Sequence, residues 1–222
     1  MMSSFPGSPR ILKGGIVPLD PLTSAVLTQR MIVLQYNPDS LSRTLQVQAI
    51  GADGHDYSEA LRLKGPPVET LKLEAEIDAT DQLEQPDQNP TVVQVGIFPQ
   101  LALLETLVYP TSTQLQSNNS ALDSGELEII PMEAPLTLFV WSLSRVLPVR
   151  ITELSITEEA FDVALNPIRA KVSLGMRVLS VDDLGFANKG GSVFMSYLQR
   201  KEQLAGRGPG GTLAQLGLSG TP

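Results

Sequence analysis

The sequence contains no cysteine and only one histidine, His55, among its 222 residues. Without cysteine the protein has no disulfide bond, no thiolate zinc site and no cysteine nucleophile. His55 lies in the stretch GADGHDYS, where a solvated loop residue is the favoured interpretation and a metal ligand the alternative. A serine triad around it would lack the G-x-S-x-G motif that often carries the nucleophile. We therefore expect no enzyme, no cofactor and no metal.

The sequence also lacks long apolar runs and any excess of positive charge. No stretch approaches the ~20 apolar residues that span a bilayer, and the N-terminal MMSSFPGSPRILKGG has no apolar core of a secretion signal. With 24 acidic against 16 basic side chains the net charge is −8, which is unfavourable for binding a phosphate backbone. We expect neither membrane insertion nor a nucleic-acid partner.

Alternation of apolar and polar residues predicts several β-strands. The clearest case is ETLKLEAEIDA at 69–79, where five apolar residues alternate with polar ones. A period of two indicates one buried and one solvated face. The other strands are predicted near 11–17, at 30–36, 43–50, 126–131 and 135–144, from Val149 to a hairpin corner at Asn166-Pro167, and at 168–181.

Helical spacing of apolar residues occurs in two places. One predicts a core helix over 98–108, with Pro99 in its first turn. The other predicts a short helix over 193–204, before a Gly-rich tail. Residues 91–96 are expected to form an irregular lead-in, and the polar segments 51–67, 80–90 and 111–125 are expected to be loops.

These elements predict a mainly β fold with one core helix. Seven or eight antiparallel strands usually bury their apolar faces in a barrel or a two-sheet sandwich. We expect an N-terminal arm at 1–10, a β domain at 11–184, and a C-terminal helix with its tail at 185–222. Trp141, in an apolar strand, is expected in the core.

Three carboxylates, Glu74, Glu76 and Asp78, recur at every second position of the strand predicted at 69–79. The favoured interpretation is the solvated side of an amphipathic strand, since Lys72 stands in the same row. A cation site and a hydrolase with paired carboxylates are the less favoured alternatives. A charged face of this kind also suits the wall of a water-filled channel or a subunit contact.

The order of the segments resembles the tube-like inner baseplate proteins of phage-tail-like contractile injection systems. The resemblance covers about residues 10–205, and its most specific parts are QYNP at 35–38 and GIFPQLALLETLVYP at 96–110. The other segments that carry it are KGGIVPLDP, IVLQYNPDSLSRTLQV, ETLKLEAEIDATD, PLTLFVWS, LPVRITELSITEEAFDVALNPIRAKVSLGMRVL and SYLQRKEQLA. Some members of that family carry a LysM module after the barrel, which we do not expect after Val181.

The resemblance implies a phage tail-tube-like β-barrel that assembles into a ring, most often a hexamer. Its implied partners are further copies of itself, the spike protein, the inner tube proteins and other baseplate subunits. Either a spike–tube adaptor or a tube-initiating ring fits this description. The particle would be assembled in the bacterial cytoplasm and then released or anchored to a membrane.

The turn in VLQYNPDSLSR is the first candidate for a subunit contact. Proline fixes φ, and asparagine and aspartate bond their own backbone, so we expect Tyr36, Asn37 and Pro38 to pin a corner whose loop reaches a neighbour. An ordinary internal turn is the alternative. Phe194, Tyr197 and Leu198 of the C-terminal helix are the second candidate contact. A monomeric barrel that binds a small ligand or glycan is the alternative function.

Overall fold

The computed structural model describes residues 11–20, 23–49, 62–123 and 134–219. Within these residues the dominant element is a set of seven antiparallel strands. Their bounds are β1 Gly15–Pro18, β2 Ile32–Val33, β3 Leu41–Gln46, β4 Val68–Asp78, β5 Thr137–Ser142, β6 Arg145–Phe161 and β7 Pro167–Val178. The predicted arm at 1–10, His55 and the strand predicted at 126–131 lie outside the described residues.

The seven strands form one sheet in the order β2-β1-β5-β6-β7-β4-β3. A β-rich antiparallel fold with a C-terminal helix, as the sequence predicts, is therefore confirmed. The ladder is open, because no backbone pairing joins β2 to β3 within the described part of the chain. The sheet is nonetheless curled. This follows from one cavity that is lined both by residues of β2 and its neighbours and by residues of β4.

The structure has more helices than the single core helix predicted. Their bounds are α1 Thr80–Leu83, α2 Pro90–Val95, α3 Phe98–Glu105, α4 Ser112–Asp123, α5 Val181–Leu184 and α6 Lys189–Ala205. Short 3-10 turns occur at Thr28–Arg30, Pro86–Gln88 and Leu213–Leu216. Within the described residues, no helix combines the length and hydropathy needed to cross a bilayer.

Three of the predicted irregular segments contain helix. The segment 80–90, expected as a loop, contains α1 and the 3-10 turn Pro86–Gln88. Residues 91–96, expected as a lead-in, fall largely in α2, which ends at Gly96 with a positive φ of 60°. The segment 111–125, expected as a loop, contains the twelve-residue α4. Thr111 and Gln114 satisfy each other's backbone N–H groups at its start, which is a capping box.

The predicted alternation of 69–79 is confirmed in β4. Leu71 and Leu73 are buried, while Lys72 and Glu74 on the opposite face are exposed. Their partners in β7 are also buried: Met176 lies opposite Leu71, and Leu174 lies opposite Leu73. Together with α3, α6, β1 and β5, these strands enclose one hydrophobic cluster, so the concave face of the sheet is the core of the protein.

The longest strands, β6 and β7, form a hairpin whose corner is at Asn166 and Pro167, as predicted. Their register shifts at three places; β-bulges of this kind bend a strand and increase its twist. Beyond Val149 no strand pairs with β6 on its β5 side within the described residues. The hairpin therefore extends past β5.

Candidate functional site

The segment predicted as a stiff corner holds β2 against the end of β4. The Gln35 side-chain amide donates to the Asp78 carbonyl at 2.7 Å, and its oxygen accepts from the Asp78 N–H at 3.0 Å. Because β3 pairs with β4 only as far as Leu73, no strand in the described part of the chain lies beside Asp78 on that side. Gln35 therefore makes, with one side chain, the pair of bonds that a neighbouring strand would make.

Asn37 fixes the start of β1 in a similar way. Its side-chain oxygen accepts from the Gly14 N–H at 3.0 Å, and its amide donates to the Leu12 carbonyl at 2.8 Å. Pro38 is half-buried and Tyr36 is exposed. The hydrogen bonds of this corner are thus internal to the chain, and the Tyr36 side chain is exposed; a contact with a neighbouring subunit stays a prediction.

The C-terminal helix α6 is attached to the sheet through a buried carboxylate. Glu69, only 3% exposed, accepts from Arg43 at 2.9 Å, from the Tyr197 hydroxyl at 3.1 Å and from Lys201 at 3.0 Å. The Lys201 ammonium also lies 4.1 Å from the centre of the Tyr197 ring. We call Arg43, Glu69, Tyr197 and Lys201 the Glu69 cluster.

The cluster changes the interpretation of the interface predicted on α6. Phe194 and Tyr197 are both buried against the sheet, and Leu198 packs beside them half-buried. Within a single chain these three side chains dock α6 rather than face outward. The exposed side of α6 is its polar one, and a subunit contact there stays a prediction.

The three carboxylates of β4 lie on the solvated face of the sheet. Arg169 of β7 bonds Asp78 at 2.8 Å and lies 3.6 Å from Glu76. Hydrogen bonds from Thr80, and then the Arg169 guanidinium, hold the pKa of Asp78 below its ordinary value. On the same face Lys171 pairs with Glu159 at 2.7 Å, which raises the pKa of Lys171.

Paired charges of this kind describe a solvated face rather than a cation site. Within the described residues no group of three His, Cys, Asp or Glu side chains has the geometry to hold a metal ion. The face carries a mainly acidic row on β4 beside a basic row on β7. Because these charges pair across the strands, the face repels neither sign strongly and offers few apolar contacts.

A cavity of about 310 Å³ lies inside the curled sheet, between β2 and the free part of β4. Its walls are mainly aliphatic, from both strands, from β7 and from α3. Two side-chain oxygens in residues that line it, Gln82 Oε1 and Gln100 Oε1, are buried and have no hydrogen-bond partner within the described part of the chain. Sequence patterns gave no sign of this cavity, because its walls come from distant segments.

The tip of the β6–β7 hairpin presents apolar side chains to solvent. Val163 and Leu165 are highly exposed, and Leu165 has a positive φ of 65°. Asp162 holds the tip by accepting from the Ala164 and Asn166 N–H groups, each at 2.8 Å. The Asn166 side chain also donates to it at 2.8 Å, and these Asn166 bonds are the main reason that the pKa of Asp162 is lowered.

Both edges of the sheet also expose apolar residues. Beside β2, Met31 and Val33 are 41% and 54% exposed; beside β3, Leu45 and Val47 are 45% and 66% exposed. Edge strands with exposed apolar side chains are the usual sites of pairing with another chain.

No protein-family model matches the chain, and no curated protein matches its sequence significantly.

Proposed function

We propose that this protein is a structural subunit of the baseplate of a contractile injection system. Copies of the chain join edge to edge into a ring, which connects the central spike to the inner tube. The energy of injection comes from another component, so the role of this chain is to supply shape and contacts. This proposal begins from the order of segments in the sequence, above all QYNP and GIFPQLALLETLVYP.

The observation that carries the proposal is the difference between the two open edges of the sheet. The β2 edge is short and bears Met31 and Val33, whereas the β3 edge is longer and bears Leu45 and Val47. Two unlike surfaces on one chain favour head-to-tail contacts, which close into rings when the rotation permits. A hexamer is the ring size that the family resemblance implies.

The solvated face of β4 and β7 supports the same proposal. Its charges are paired across the strands, and such a face gives a passing cargo few apolar contacts. In a ring this face would line the channel. The exposed hairpin tip at Val163 and Leu165 would then contact the next layer, which is the spike protein, the inner tube or another baseplate subunit.

The test begins with the mass of the purified chain, measured by native mass spectrometry alone and with the tube and spike proteins. We expect rings or co-purifying partners. Val47→Lys at the β3 edge should abolish the ring, because a charge at an edge opposes pairing. Leu143→Lys is the matched control, since Leu143 is an equally apolar, exposed residue in the β5–β6 turn. A stable monomer in all mixtures, or equal effects of both substitutions, contradicts the proposal.

A second candidate function is a monomeric module that binds a small ligand or glycan. The observation that favours it is the cavity between β2 and β4. The same mass measurement separates the two functions, because the ligand-binding function requires a monomer in the presence of every neighbour. It also requires saturable binding of a sugar.

A further inference from the structure

The cavity combines an apolar wall with two isolated hydrogen-bond acceptors. Gln82 comes from α1 and Gln100 from α3, so two different helices each place a carboxamide beside it. Buried polar atoms in proteins are nearly always bonded, and each exception calls for an explanation. The Gln35 carboxamide, which also lines the cavity, is already bonded through both its oxygen and its nitrogen.

Water is a poor occupant of such a space. A buried water needs two to four polar partners, and the remaining lining is largely Ile, Val and Leu. A molecule with an apolar body and one or two donor groups satisfies the wall and the oxygens together. The volume of about 310 Å³ is at the lower end of the ~300–1,000 Å³ range of small-molecule pockets.

The charge around the cavity selects the kind of polar group. Both unbonded atoms are acceptors, and among the described residues that line the cavity the only ionisable one is Glu76, whose side chain is half-exposed. An ionised carboxylate has acceptors only, so it would meet two acceptor oxygens and could bond neither. A hydroxyl or an N–H group would donate to the same oxygens.

We propose that this cavity is a binding site for a small neutral amphiphile of about ten non-hydrogen atoms that bears a hydroxyl or N–H donor. Its aliphatic body fills the space between β2 and β4, and its donor forms a hydrogen bond with the side-chain oxygen of Gln82 or of Gln100. Met31 and Val33, which line the cavity and are exposed, form its mouth. The cavity lies inside a single chain, and its mouth is on the β2 edge that the proposed ring would bring against a neighbouring copy.

The experiment compares two probes of equal length on the full chain. Binding of 1-octanol and of octanoate is measured by two-dimensional NMR titration, following the amides of Ala75 and Leu103, which line the cavity. We expect saturable binding of 1-octanol and at least tenfold weaker binding of octanoate. Absence of saturable octanol binding, or equal affinity for both probes, overturns the proposal. Tighter binding of octanoate also overturns it, because the amide nitrogens would then face the cavity.

Two variants test separately the two acceptor oxygens and the volume of the cavity. The double variant Gln82→Leu with Gln100→Leu should stay folded, because replacing unbonded polar atoms by apolar ones is nearly neutral. It should bind 1-octanol about five- to tenfold more weakly, from the loss of the one hydrogen bond that the hydroxyl donates. Ala75→Leu narrows the cavity and should block binding, with thermal melting as the check on folding.

The variants also identify a different occupant. If 1-octanol binds the double variant as well as the natural chain, the two oxygens do not recognise the ligand and the proposal is wrong. If no probe binds but Ala75→Leu changes the mass of the assembly, the cavity accepts a side chain of a second copy, which likewise overturns a small-molecule site.

Discussion

The two ends of β4 are anchored by different chemistry. At one end the buried Glu69 accepts from two cations and a tyrosine, and so joins β3, β4 and α6. At the other end Asp78 is bonded through its backbone to the neutral Gln35 amide and through its carboxylate to Thr80 and Arg169. The Glu69 carboxylate is almost completely buried, although its cationic partners are partly exposed, whereas the Asp78 end lies beside an open cavity.

This difference in chemistry predicts which end of β4 tolerates substitution. A buried charge depends on its complete set of partners, since removing one leaves the others uncompensated. The exposed end can replace a lost bond with water. We therefore expect the Glu69 end to determine whether α6 stays docked, and the Asp78 end to determine how firmly the curled sheet is held.

The largest effect should come from Glu69→Ala. The substitution leaves Arg43 and Lys201 facing each other and the Tyr197 hydroxyl without its acceptor, so we expect the free energy of unfolding to fall by about 3 kcal/mol. Urea denaturation followed by Trp141 fluorescence measures it. Glu153→Ala is the control, because the pair of Glu153 with Lys72 is exposed and contributes less than about 1 kcal/mol. Equal losses in the two variants would contradict the comparison.

A slightly smaller effect is expected from Gly96→Ala, near the Asp78 end. Gly96 has a φ of 60°, and an added Cβ would overlap the Pro167 carbonyl oxygen. Strain and overlap together should lower the free energy of unfolding by about 2–3 kcal/mol. Gly185→Ala isolates the strain, because Gly185 also has a positive φ but no atom near its Cβ position. Thermal melts that fail to separate the two variants would exclude a role for the overlap.

Gln35→Ala should remove about 1–2 kcal/mol by deleting the two bonds to Asp78. Hydrogen exchange at the Asp78 amide should accelerate, because Gln35 is its acceptor. Gln48→Ala removes one side-chain bond, to the Pro66 carbonyl, and should leave that amide unchanged. The prediction is wrong if Asp78 exchanges at the same rate in Gln35→Ala as in the natural chain.

The smallest effect is the pH dependence of Asp78. Its folded-state pKa lies below the ordinary value of 3.8, so its contribution to stability is fully present above that value. The contribution is lost as the pH falls through the folded pKa. After solvent screening we expect a few tenths of a kcal/mol. Thr80→Ala removes the largest cause of the shift, and NMR titration should then show the pKa of Asp78 rising; an unchanged pKa contradicts this assignment.

The sequence predicts best where a pattern is local. β4 begins and ends within one residue of the prediction, and α3 begins where Pro99 indicates. The sequence did not predict the helix α4, because this helix has no apolar stripe and no buried residue. The Thr111-x-x-Gln114 capping box was the available signal. Whether the two end strands β2 and β3 pair with each other depends on contacts between distant segments, which no local sequence pattern encodes.

The functional features follow the same division. Glu69 belongs to the same alternating row as Leu71 and Leu73, so its burial could have been inferred from the strand pattern. Its partners Tyr197 and Lys201 are distant in sequence and could not. Gln82 and Gln100 line the same cavity only in the folded chain, since α1 and α3 are separate helices.

The pairing of β1 with β5 has a consequence for how the chain folds. Gly15 lies opposite Val140, so this ladder closes a loop through more than half of the chain, whereas β6 and β7 are neighbours joined by a tight corner. Entropy favours short loops over long ones. We therefore expect the β6–β7 hairpin to form early and the β1–β2 wing to join last, so that the curled sheet closes only when the protein is nearly native.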